Sequence, residues 1–235
     1  MLKALIFDLD DTLLDSTRVR NGIEQAIRTV ASIHGLDEAA FMALNIEVWT
    51  KRWTEMATDF ETGKATGETV SLSVWEETLN RAGIDGTTHA RAAYEETRKN
   101  EMAAYQLFPD ALDVLAHFRD RGLKLGLITN GAPDTQQPKI DLLNLAPHFD
   151  HMVISGALGI AKPDAAIFGH MLNRLGVNPA DAAYVGDSPE NDVVGAQQAG
   201  LTAIWRDHGN RPPSHHNPDY TIRQLSDIKE LPILI

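Results

Sequence analysis

From residue 106 onward the chain alternates short, almost wholly apolar runs with stretches of helical period, and this alternation restricts the fold more than any other feature. The runs lie at 124–130, 151–155, 182–187, 202–206 and, more weakly, 220–222, and another opens the chain at 3–9. "KALIFDL", "LKLGLITN" and "AAYVGD" are apolar at nearly every residue rather than at every second one. Such runs suit parallel strands covered by helices on both faces. Between them, "PDALDVLAHFRDRG" spaces Leu112, Leu115, Ala116 and Phe118 for one helix face and stops at Gly122. "DAAIFGHMLNRLG" does the same with Ile167, Phe168, Met171, Leu172 and Leu175, ending at Gly176. "SPENDVVGAQQAG" opens on a Ser-Pro pair suited to a helix start and ends at Gly200. The pattern predicts an α/β fold with a doubly wound parallel sheet.

The segment 16–105 breaks the alternation. It carries helical patterns at 17–34, 38–60, 68–82 and 88–103, separated by "ETGKATGE" and "AGIDGTT", and no convincing strand. It reads as an all-helical insertion, so that 1–15 and 106–235 form one core and 16–105 a second domain. "HGNRPPSHHNPDY" reads as a loop from its Pro, Gly and Asn content. The chain's 235 residues are enough to bury a real core. With 21 Lys plus Arg against 33 Asp plus Glu, the net charge of −12 argues against nucleic acid or an anionic membrane as the main partner. The absence of cysteine excludes disulfides, thiolate metal sites and cysteine nucleophiles. No apolar run suits a membrane span, and Asp8 interrupts the N-terminal apolar run too early for a signal peptide, so the expected location is cytoplasmic.

Four polar groups each follow an apolar run, and open parallel sheets bind ligands at the carboxyl ends of their strands. In Asp8-Leu9-Asp10-Asp11-Thr12, Asp8 and Asp10 are two apart and share a face unless the chain bends sharply after Leu9. Two close carboxylates suit a divalent cation, or a division into one ionised and one proton-carrying acid; the plain alternative is a solvated acidic turn. Thr129-Asn130-Gly131 offers a hydroxyl and free N–H groups to an oxyanion, or is only an Asn-Gly turn. Lys162 precedes Pro163 at a helix start and either faces a phosphate or is solvated. In "GDSPEND", Asp187 ends a strand and Asp192 lies one turn into the next helix; with Asp8 they make a hard oxygen set suited to Mg²⁺, or they serve as caps.

Taken in order, DLDDT, TN, KP and GDSPEND resemble the four motifs of the haloacid dehalogenase-like hydrolase superfamily, and the helical insertion resembles that family's helical cap. The resemblance implies a Rossmann-like core whose first, second and fourth strands are neighbours, bringing Asp8, Thr129 and Asp187 to one rim. It implies Asp8 as a nucleophile that forms an aspartyl-phosphate, and Asp10 as the general acid and then base. It implies Mg²⁺ on the carboxylates of Asp8 and Asp187 and the backbone carbonyl of Asp10, with Asp192 a further ligand or an orienting residue. Thr129, the N–H groups near Asn130 and the Lys162 ammonium would hold the phosphoryl oxygens. Asp11 has no role in the family pattern and reads as a loop residue.

Dehalogenases of this superfamily carry a bulky aromatic residue two places after the nucleophile, whereas this chain has the acid Asp10. An acid able to protonate a leaving oxygen favours phosphate esters. The expected function is therefore a Mg²⁺-dependent phosphatase acting on a small phosphorylated metabolite, a sugar phosphate or a nucleoside monophosphate. The rivals are a phosphomutase of the same superfamily and a non-catalytic ligand-binding relative. Cleavage of phosphonates by a cap lysine, with Lys51, Lys64 and Lys99 available, fits DLDDT poorly. Trp49 and Trp53, four apart, share a helix face, and packing between helices is favoured over a stacking platform for substrate. Arg18, Arg20 and Arg52 read as surface residues rather than anion ligands, and the pairs His148/His151 and His215/His216 as loop residues rather than metal ligands.

Overall fold

The structure is a computed structural model and describes residues 2–209 and 217–234. His215, His216 and most of the loop expected around them lie outside the described residues. Six strands, β1 (Ala4–Phe7), β2 (Lys124–Thr129), β3 (His151–Ile154), β4 (Ala182–Gly186), β5 (Thr202–Arg206) and β6 (Tyr220–Ile222), form one sheet in the order β3-β2-β1-β4-β5-β6. Every pairing is parallel. β1 is thus the central strand, with β2 on one side and β4 on the other, as the family pattern requires.

The unbroken apolar runs are explained by burial on both faces. Along β1, Leu5 and Phe7 face a core shared with Val114, Leu115 and Phe118 of the helix α5 (Ala111–Asp120). Ala4 and Ile6 face the opposite core, filled by Ile167, Phe168, Met171 and Leu172 of α8 (Ala165–Leu175). Burying each of these large side chains contributes about 1.5–3 kcal/mol, so a strand with a polar residue at any of them would not hold this central position.

Between β1 and α5 run four helices: α1 (Ser16–Ile33), α2 (Glu38–Glu61), α3 (Gly67–Arg81) and α4 (Gly86–Ala104). Each starts at a side-chain cap: Asp15 accepts from Thr17 N, Asp37 from Ala40 N, Thr66 from Thr69 N and Asp85 from Thr88 N. They enclose a core of their own, with Ile27, Val30, Phe41, Trp75 and Leu79 at its centre. Two helices escape the sequence reading, α6 (Pro133–Leu142) and the single turn α7 (Ser155–Leu158). Pro138 sits inside α6 and disguises it as a loop. After β4, a π-helical turn (Pro189–Val193) leads into α9 (Val194–Gln198), where one continuous helix is expected from the sequence. Among the described residues no helix is long and apolar enough to cross a membrane.

Candidate active site

Phe7, the last residue of β1, is in register with Leu127 of β2 and Val185 of β4, so the next residues of all three strands emerge on one rim. Asp8 is anchored there by its own N–H, which donates to Val185 O at 2.9 Å. The chain then bends. Asp11 takes a left-handed backbone (φ 55), and the N–H groups of Leu13 and Leu14 both return to Leu9 O. Beyond this turn the Asp10 carboxylate does not join the group of acids that holds Asp8.

Carboxylate oxygens of Asp8, Asp187 and Asp192 lie within 4.8 Å of one another, and all three residues are buried. The Lys162 ammonium reaches into the group, donating to Asp8 Oδ1 and Asp192 Oδ1, each at 2.7 Å, and to the Tyr184 hydroxyl at 2.8 Å. The Tyr184 hydroxyl in turn donates to Ile128 O at 3.2 Å. The second oxygen of Asp192 accepts from Ser188 N at 2.9 Å. Gly186 is required by this packing, because a methyl group there would stand 2.3 Å from the Asp192 carboxyl. The backbone oxygen of Asp187 is fixed by Trp205 Nε1 at 3.0 Å.

The electrostatics follow from this crowding. Burial pushes the Asp8 carboxyl well above the ordinary carboxylate range; Lys162 opposes the rise, and Asp192 and Asp187 add to it. Burial alone would lower the Lys162 ammonium, but Asp192 and Asp8 reverse the effect and hold it well above the usual lysine range. Three buried carboxylates thus crowd together beside the Lys162 ammonium. Clustered carboxylate oxygens are the hard donor set of a small divalent cation, and Asp8, Asp187 and Asp192 are the residues that fit one.

The other residues singled out from sequence are placed as follows. Thr129 is buried at the end of β2. The Asn130 amide spans to the Lys162 backbone, donating to its O and accepting from its N, both at 2.9 Å. Its side chain therefore holds the lysine loop in place. The Asp10 carboxylate stands outside the three-acid cluster. It accepts from Lys139 Nζ at 2.8 and 2.9 Å and from Gln136 Nε2 at 3.0 Å. Both partners lie on α6, and both escape the sequence reading with it. Their signal in the sequence is a Gln and a Lys three apart, a spacing that shares a helix face once the helix is recognised.

The helical insertion closes on this rim. Ser155 Oγ donates to Glu61 O at 2.5 Å and accepts from Gly131 N at 2.9 Å. Asp134 of α6 accepts from Gly67 N and Glu68 N, both at 3.0 Å, and so caps α3 from the opposite side of the seam. The Glu61 carboxyl is raised by burial, while a hydrogen bond with Asn130 and the charge of Lys162 pull it back. Arg18 pairs with Asp15, Arg20 with Asp11, and Arg52 with Glu77 and Glu55, so all three are engaged by acids of this chain. Trp49 is not the packed side chain that the sequence favours. It is 42% exposed and stacks on Trp53 at 5.9 Å.

A family model described as haloacid dehalogenase-like hydrolase matches residues 2–200. The phosphoserine phosphatase of Thermus thermophilus is 35% identical over 97% of this chain and 98% of its own length. The 2-haloacid dehalogenase of Pseudomonas syringae pv. Tomato DC3000 superposes with a TM-score of 0.70 at 30% identity, covering 98% of this chain and 97% of that one. A hydrolase of Bacillus subtilis bound to magnesium superposes at 0.71 and 25% identity, covering 99% and 98%. Central β1 flanked by β2 and β4, buried acids converging from β1 and β4 and the matched span all lead to one assignment: the chain belongs to the haloacid dehalogenase-like hydrolases.

Proposed function

We propose that the chain is a Mg²⁺-dependent phosphatase that hydrolyses a small phosphate monoester through an aspartyl-phosphate, with residues 16–105 as a cap over a Rossmann-like core. The convergence of Asp8, Asp187 and Asp192 around the Lys162 ammonium carries this reading. The phosphatase among its relatives supports the ester, and so does the acid at position 10.

Asp8, Asp187 and Asp192 would hold the ion. Bound Mg²⁺ supplies positive charge that keeps Asp8 ionised and offsets charge on the transferring phosphoryl group. Asp8, fixed by its N–H on Val185 O and by Lys162 on Oδ1, presents a carboxylate oxygen that forms the bond to phosphorus. The ester oxygen leaves with the bonding electrons and takes a proton from Asp10. Lys139 and Gln136 hold the Asp10 carboxylate in place after it has given up that proton. Asp10 then takes a proton from water as the water oxygen attacks phosphorus, which releases phosphate and restores Asp8. Thr129 and Lys162 face the phosphoryl oxygens, and Asn130 positions Lys162.

The test is hydrolysis of p-nitrophenyl phosphate with Mg²⁺, with EDTA, and by Asp8→Asn with Mg²⁺. Turnover in the first condition alone is expected. Equal turnover in all three would overturn the reading.

A further inference from the structure

The four helices of the insertion line a half-open cavity of about 330 Å³. Ile23, Ile27, Met42, Val74 and Trp75 give it apolar walls, and Trp49 stands at its edge. Most of its polar lining is already engaged. Asn45 donates to Thr78 at 3.3 Å, Trp75 Nε1 to Thr97 at 3.1 Å, Arg20 to Asp11 at 3.2 Å, and Glu101 accepts from Arg98 at 2.8 Å. A ligand there gains burial and finds few free hydrogen-bonding groups. A cavity of roughly 150 Å³ holds a benzene ring, so this one has room for a ring and part of its tether.

A ladder of aromatic side chains connects the cavity with the catalytic rim. A methyl group on Gly131, next to Asn130, would meet Phe60 at 3.1 Å. The Phe60 ring stands edge-on to Trp53 at 5.5 Å, and Trp53 stacks on Trp49 at 5.9 Å. A narrow hollow of about 70 Å³ follows the ladder, bordered by all three rings and by Thr135 of α6. It shares Trp49, Ser71 and Glu101 with the larger cavity. The two ring-to-ring steps reach up to about 11 Å, a span for a long aliphatic tether.

We propose that the substrate is the phosphate monoester of an arylalkyl alcohol. Its tether lies along Phe60, Trp53 and Trp49, and its ring is buried among the helices of the insertion. The proposal rests on the phosphatase reading and adds the chemical class of the leaving group. The overall reaction is unchanged: ester plus water gives alcohol plus phosphate, with Asp10 protonating the departing alkyl oxygen.

The test compares 8-phenyloctyl phosphate with glycerol 3-phosphate, in the wild type and in Ser71→Phe, which adds a ring at a residue lining both spaces. Calorimetric titration of 8-phenyloctanol into the wild type serves as a second readout, independent of turnover and of the variant's folding. The arylalkyl ester is expected to have a KM at least about tenfold below that of glycerol 3-phosphate, as burial of one ring allows. Ser71→Phe is expected to remove that advantage and leave glycerol 3-phosphate turnover unchanged, and the alcohol alone is expected to bind the wild type. Turnover of both esters with equal KM, or no binding of 8-phenyloctanol, overturns the cavity assignment and leaves the phosphatase standing. Failure to hydrolyse any monoester sinks the phosphatase reading, and the substrate class with it.

Discussion

Replacing Lys162 by methionine tests the charge balance at the centre of the site. Methionine keeps much of the side-chain volume and removes the ammonium, which is 4% exposed and lies 2.7 Å from both Asp8 and Asp192. Deleting one partner of a buried ion pair costs about 3–5 kcal/mol, because the remaining charge has no compensation. Asp8 can escape part of this by taking up a proton, since burial already holds its carboxyl well above the ordinary range. The lower end, about 3 kcal/mol at pH 7, is therefore expected. With a urea dependence of about 3 kcal/mol per molar, the unfolding midpoint should fall by about 1 M in EDTA. Magnesium should return part of the loss, because a cation on Asp8 and Asp192 replaces some of the missing positive charge. Turnover should stay low in Mg²⁺ all the same, down about 100-fold or more, as when one donor to a developing anion is removed. A midpoint shift below about 0.3 M in EDTA, or identical shifts with and without Mg²⁺, would refute the account of Lys162 as the counter-charge of the cluster.

The other predictions concern neighbouring parts of the site. Asp8 keeps its proton to higher pH when folded than when unfolded, so its contribution to metal-free stability is complete below the unfolded carboxylate range and lost as pH rises through the folded value. Urea titrations in EDTA should show stability falling over that window, and Asp8→Asn should flatten the slope. Asp134→Ala removes two 3.0 Å bonds to the start of α3 and should weaken the seam by about 1 kcal/mol. That would appear as a KM raised about fivefold and faster proteolysis between α2 and α3. Gly186→Ala should drive Asp192 off Lys162 and lower kcat about 100-fold. Gly169→Ala, where a methyl group meets nothing within 4 Å, should leave kcat unchanged.

What was legible in the sequence was what physics writes locally. A strand buried on both faces must be apolar at every position, so β1, β2 and β4 are visible as runs, and the polar residue that ends each run marks the rim. Asp8, Thr129 and Asp187 are found in that way. Lys139 and Gln136 are not, because Pro138 stands between them and conceals α6, and because nothing local ties them to an aspartate more than 120 residues earlier. Asp134 and Ser155 act across the seam between the insertion and the core, where neither partner's own neighbourhood signals the contact. Trp49 shows the same limit. Spacing puts it on the face of Trp53, but whether that face is covered depends on how α2 lies against the rest of the chain.

The place of the insertion matters as much as its content. It departs just after the turn that carries Asp10 and Asp11, and returns through an isolated antiparallel bridge between Leu14 and Leu107. Both ends are therefore pinned beside the carboxyl end of β1, the central strand. A helical segment tethered there at both ends has to lie over the rim where Asp8, Thr129 and Asp187 emerge. Bonds from Asp134 and Ser155 on the core side then fix its height above them. The same insertion between β4 and β5 would be tethered beside Asp187 and one strand removed from Asp8. Under the proposed function, chemistry and leaving-group recognition are coupled through the chain's connectivity, so that one core would keep the same four rim motifs while the helices above them decide what is admitted.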